Sequence, residues 1–103
     1  MRSLIASLLI ARALSCPAVA ETLAHQVTAC KSLATFQDYY VIAYEQHDEL
    51  AATKLIRKEE EAGNCTTLQP GSYQVMETTG QGYACARKKG EPDCYWTFIQ
   101  VLK

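Results

Sequence analysis

Four cysteines, Cys30, Cys65, Cys85 and Cys94, constrain this chain more than any other feature. A fifth, Cys16, falls in a stretch with the form of a secretion signal. That stretch has a basic start at Met1-Arg2-Ser3, an apolar run from Leu4 to Leu14, and the small-x-small tripeptide Ala18-Val19-Ala20. Cleavage after Ala20 divides the chain into a signal peptide, 1–20, and a single small mature domain, 21–103, beginning at Glu21. The mature domain then holds an even set of cysteines, which in a short exported chain reads as a disulfide framework. Four cysteines allow three pairings, and Cys30–Cys65 with Cys85–Cys94 is favoured because neighbours across a hairpin meet first. A chain this short needs such staples, since its hydrophobic core alone leaves little margin.

Other uses of the same residues fit less well. Structural zinc sites present C-x2–4-C knuckles, and even the nearest pair, Cys85 and Cys94, is spaced too widely for one. No metal and no cofactor are expected. Lipidation at Cys16 would call for a leucine-like residue three positions earlier, where Ala13 stands; release by cleavage after Ala20 is the preferred reading over a lipid anchor. Arg12 interrupts the N-terminal apolar run, so a transmembrane segment, which needs about 18–20 unbroken apolar residues, is not expected. Ten Lys and Arg stand against eleven Asp and Glu. With Arg2 and Arg12 in the signal the rest is more acidic, the reverse of a nucleic-acid binder.

Along the mature domain, residues 31–62 read as helical. From Lys31 to Gln46, Leu33, Phe36, Tyr40 and Tyr44 recur at helical spacing. Tyr39, Val41 and Ile42 lie off that stripe, so "DYYVIAY" is apolar on more than one side and is expected to be largely covered. Asp48 is a credible N-cap for a second helix running to about Ala62, with Leu50, Ala51, Leu55, Ile56 and Ala62 as its apolar face and Gly63 as its stop. Glu59-Glu60-Glu61, at the unfavourable end of the helix dipole, reads as a solvated charged end. Residues 66–103 have β character: "TTLQ", "SYQVMETT", "YACAR" and "CYWTFI" are separated by Pro70-Gly71, Gly80-Gln81-Gly82 and the turn "KKGEPD". If Arg87 pairs with Cys94, then Cys85 faces Trp96, and the two cysteines share one side of the sheet within diagonal reach. Residues 21–30 carry no clear signal. The fold class is α+β, with an N-terminal helical pair packed on a small C-terminal antiparallel sheet and stabilised by disulfides.

Leu68, Pro70-Gly71, Val75, Gly82-Tyr83, Arg87, Gly90, Tyr95-Trp96 and Val101-Leu102 occur in an order that resembles the bacterial SH3-like domains of exported proteins. The resemblance covers residues 68–102. It implies a curved, SH3-like antiparallel sheet whose grooves bind peptides or cell-wall fragments. The chain departs from that pattern in lacking an evident N-terminal strand, in its preceding helices, and in Cys85 and Cys94.

For function, His25 and His47 are the histidines, and neither lies in a nucleophile or metalloprotease motif. The expectation is a small exported, periplasmic or secreted, non-enzymatic binding or accessory module. Its binding residues are expected on the hairpin, at Tyr83, Arg87, Tyr95 and Trp96, with Phe98, Lys88 and Lys89 nearby, because grouped Tyr, Trp and Arg carry most interface energy. Alternation sets Trp96 and Phe98, expected beneath the helices, opposite Tyr95, Thr97 and Ile99. The partner would be a protein, a peptide or a cell-wall fragment. The alternatives are an envelope structural or interaction subunit that uses the aromatic helix 39–44, or a small hydrolase or enzyme inhibitor.

Overall fold

A computed structural model describes residues 19–103. The chain enters the sheet before it enters the helices. Strands β1 (Val19–Leu23) and β2 (Val27–Cys30) come first, followed by α1 (Leu33–Tyr40), a π-helical turn (Val41–Glu45) and α2 (Glu49–Glu61). Then come β3 (Cys65–Leu68), β4 (Gly71–Thr78), β5 (Tyr83–Lys88), β6 (Cys94–Phe98) and a closing 3-10 turn (Ile99–Val101). The α+β class holds, but two strands precede the helical pair, which corrects the expected order. These strands escape local reading because their partners are distant in sequence: Val19 pairs with Val75 and Val27 with Leu68. Most of the stretch expected to be a signal peptide, and Cys16 with it, lies outside the described residues; Val19 and Ala20 open β1.

The six strands form one antiparallel sheet in the order β1-β4-β5-β6-β2-β3. One core cluster joins Leu23 of β1, Leu68 of β3, Tyr73, Ala84, Ala86 and Leu102. Since β1 and β3 are opposite edges of the sheet, their residues can share a core only if the sheet curls strongly upon itself. The small side chains of Ala29, Ala84 and Ala86, all fully buried, leave room on that concave face for Tyr73, whose hydroxyl donates to the Gln69 carbonyl at 2.6 Å. At the β1 edge, Thr22 and Lys103 exchange backbone hydrogen bonds.

The convex face carries the helices and both disulfides. Cys30 is bonded to Cys65 and Cys85 to Cys94, the favoured pairing. The hairpin register places Arg87 opposite Cys94 and Cys85 opposite Trp96, as the spacing predicts. Cys30, Cys65, Cys85, Trp96 and Phe36 make a second core, flanked by Leu33, Tyr39, Ile56, Tyr83 and Phe98. Helix α1 is capped by Ser32, whose hydroxyl accepts from Thr35 N. Helix α2 is capped by Asp48, which accepts from Ala51 N at 3.0 Å. Its end is a Schellman turn: Asn64 N donates to Glu59 O, Gly63 N to Glu60 O, and Gly63 takes φ 82°, where glycine bears no Cβ penalty.

The apolar face of α2 needs correction. Leu50 is 68% exposed and Ala62 is also exposed, whereas Ala52 is buried and Ile56 meets the disulfide core. The helix rests on short β3 and the end of α1, so only the line through Ala52 and Ile56, one turn apart, finds apolar partners.

Candidate functional site

The most developed surface feature grows from the aromatic residues of α1 and the turn that follows. Gln46 N donates to Val41 O, a wide i→i−5 step, and His47, with φ 54°, then ends the helical run. This widening swings Tyr44 back over the two preceding tyrosines. Its ring centroid lies 5.1 Å from that of Tyr40 and 6.5 Å from that of Tyr39. Tyr40 meets Phe98 edge-on at 4.9 Å, Phe98 stacks on Tyr83 at 5.5 Å, and Phe36 touches Phe98, Tyr83 and Tyr39. The six rings form a closed circuit from Phe36, 1% exposed, out to Tyr44, 55% exposed. Edge-to-face and offset pairs of this kind each contribute about 0.5–1.5 kcal/mol beyond area burial, so the exposed member stands on a rigid base.

Beside this circuit the sheet parts. Strands β2 and β6 pair only at Cys30 and Trp96; beyond that point the strands lose their ladder, and Thr97 Oγ1 reaches across to Thr28 O at 3.2 Å. A cleft of about 270 Å³ lies there, lined on one bank by Gln26, Val27 and Thr28, on the other by Thr97, Phe98 and Val101, and roofed by Phe36, Tyr39 and Tyr44. A second hollow of about 240 Å³ continues past Tyr39 and Tyr44 to Ala43, Glu49, Ala52 and Thr53. None of the nine residues of the first cleft is charged. Burial, reinforced by the neighbouring Tyr44 hydroxyl, raises the pKa of Tyr39 above its ordinary value, so this phenol stays a neutral donor and acceptor across the physiological range. Such a site suits an uncharged, ring-bearing or aliphatic group with a few polar atoms.

The hairpin residues expected to bind are dispersed. Trp96 is buried against the disulfides, and Tyr83 is half-buried in the ring circuit. Tyr95 faces the concave side, where it borders the other core and a small hollow of about 160 Å³ with Tyr73, Lys88 and Glu91. Arg87 Nη2 donates to Gln74 Oε1 at 2.7 Å, and its Nε is buried without a partner. Alternation along β6 separates Tyr95 from Trp96, so the four do not meet as one surface. Phe98 is the hairpin residue that joins the aromatic helix. The contributions of Val27, Thr28 and Val101 were missed in the sequence, where nothing links them to positions 39–44.

His25 and His47 are both exposed, and neither lines the aromatic cleft. His25 borders a wider depression with Leu23, Val27, Val101 and Lys103. Among the described residues no helix is long and apolar enough to cross a membrane.

No family, no curated protein and no solved structure matches this chain. The SH3-like resemblance of residues 68–102 rests on the residues that suggest it.

Proposed function

We propose that this is a small exported, non-enzymatic interaction module that holds a partner protein through the cleft roofed by Tyr39 and Tyr44. The observation that carries this reading is the ring circuit. It places one tyrosine half in solvent over an uncharged cleft and braces it on a fully buried phenylalanine. Rigid aromatic side chains around a partly desolvated pocket are the arrangement that concentrates binding energy in a few residues. An aliphatic or aromatic side chain of the partner enters the cleft, and the Tyr39 hydroxyl, Thr28 and Gln26 satisfy its backbone. Export is supported by the signal-like N-terminus, and the two disulfides suit an oxidising compartment. The non-enzymatic reading is supported by His25 and His47 standing apart from the cleft and by the lack of a nucleophile or metalloprotease motif around them.

The test places a photo-crosslinking phenylalanine analogue at Tyr44 and, separately, at exposed Lys89, in cells that export the protein. A discrete adduct from position 44, absent from position 89 and lost when Tyr39→Ala is added, supports the reading. Equal adducts from both positions, or none from 44, rejects it.

A further inference from the structure

The two edges of the sheet are finished differently. At β1 the backbone of Thr22 is paired with Lys103, whereas among the described residues β3 has β2 as its one strand neighbour. Which groups face outward follows from the ladder. The Cα atoms of Cys30 and Cys65 are 3.9 Å apart, the close spacing of a non-hydrogen-bonded pair, and the next pair along is bonded, Lys31 N donating to Asn64 O. Alternation therefore turns the N–H and C=O of Cys65 and of Thr67 away from β2; Cys65 is buried, so the pair on exposed Thr67 is what another strand can reach.

Charge decides what fits there. Thr67 is exposed, and Glu60 of α2 sits over it, its Oε2 accepting from Thr67 Oγ1 at 3.5 Å. Glu61 follows in the exposed helix end, at the pole of the dipole that disfavours negative charge. A second copy of the chain pairing β3 with β3 would set these acidic ends against each other, which like-charge repulsion opposes. A basic strand would relieve them. On the concave side the same edge borders Lys88 and Glu91, one of each sign, so that face favours no net charge. Lys31 is engaged with Asp93 at 3.3 Å.

We infer that the β3 edge is a docking site for an extended, basic segment of a partner protein, which adds as a seventh strand with Lys or Arg opposite Thr67 beside Glu60. Its neighbours in sequence, facing the concave side, are uncharged. The site is separate from the aromatic cleft, which no residue of β3 lines, and its failure would leave the cleft reading untouched.

The test titrates isotope-labelled protein with two blocked peptides, one alternating Thr and Lys and one alternating Thr and Glu, and follows backbone amides by NMR. The expected result is slowed exchange at Thr67 and shifts along β3 with the lysine peptide, and binding about tenfold or more weaker with the glutamate peptide. Glu60→Lys should reverse that preference without unfolding an exposed position, and Thr67→Pro, which removes one edge N–H, should abolish the response. Equal binding of the two peptides, a response confined to residues away from β3, no response at millimolar lysine peptide, or edge shifts that track protein concentration alone would overturn the inference.

Discussion

Thr97 donates its hydroxyl to the carbonyl of Thr28 across the gap where β2 and β6 part, and it does so from a side chain only 1% exposed. This contact bridges the two banks of the aromatic cleft. Thr97→Val keeps the shape and removes the donor, so it should cost about 1–2 kcal/mol in urea unfolding, the penalty for an abandoned buried acceptor. Thr97→Ser, which retains the donor, should preserve the cleft's amide signals where valine shifts them.

Phe36 and Tyr44 belong to one ring circuit but should respond oppositely to truncation. Phe36→Ala removes a buried ring and should destabilise by about 3–5 kcal/mol. Tyr44→Ala, at a position 55% exposed, should cost well under that, within about 1 kcal/mol, while eliminating partner capture. Thermal melts and crosslinking on the same two variants separate a structural role from a binding role.

Removal of the two disulfides should follow loop length. The Cys85–Cys94 bond closes a separation of 9 residues and Cys30–Cys65 one of 35. Replacing both hairpin cysteines by alanine should cost roughly 2–3 kcal/mol and replacing the other pair about 4, on the chain-entropy account. The hairpin variant should melt on the order of 10 °C lower and, while folded, should keep its partner affinity. Loss of binding in the folded variant would make the cysteines part of the site.

Stability should fall at alkaline pH. Burial raises the pKa of Tyr73, and burial with the nearby Tyr44 raises that of Tyr39. Below the unfolded value, about 10, both states hold these protons and stability is unaffected; above it the unfolded chain releases them first, so stability declines until the folded values are passed. Denaturant melts between pH 8 and pH 11, run beside Tyr39→Phe, should show a shallower decline in the variant. An equally steep decline would assign the effect to other groups.

The sequence by itself determined what depends on a few adjacent residues. The Asp48 cap and the Gly63 stop bound α2 because a cap and a left-handed glycine act within one turn. Cys85, Arg87, Cys94 and Trp96 set the hairpin register because a short turn leaves little freedom in pairing. Tertiary structure decided the rest. Strands β1 and β2 exist because Val75 and Leu68, far along the chain, offer them partners; Leu50 stays in solvent because the face through Ala52 and Ile56 is the one that found apolar partners; and Phe98 became part of the candidate site because folding brought it against Tyr40. Periodicity reports which side of an element is apolar, but which distant surface meets that side is settled only when the whole chain competes for burial, and the site lies where that competition left a gap between β2 and β6.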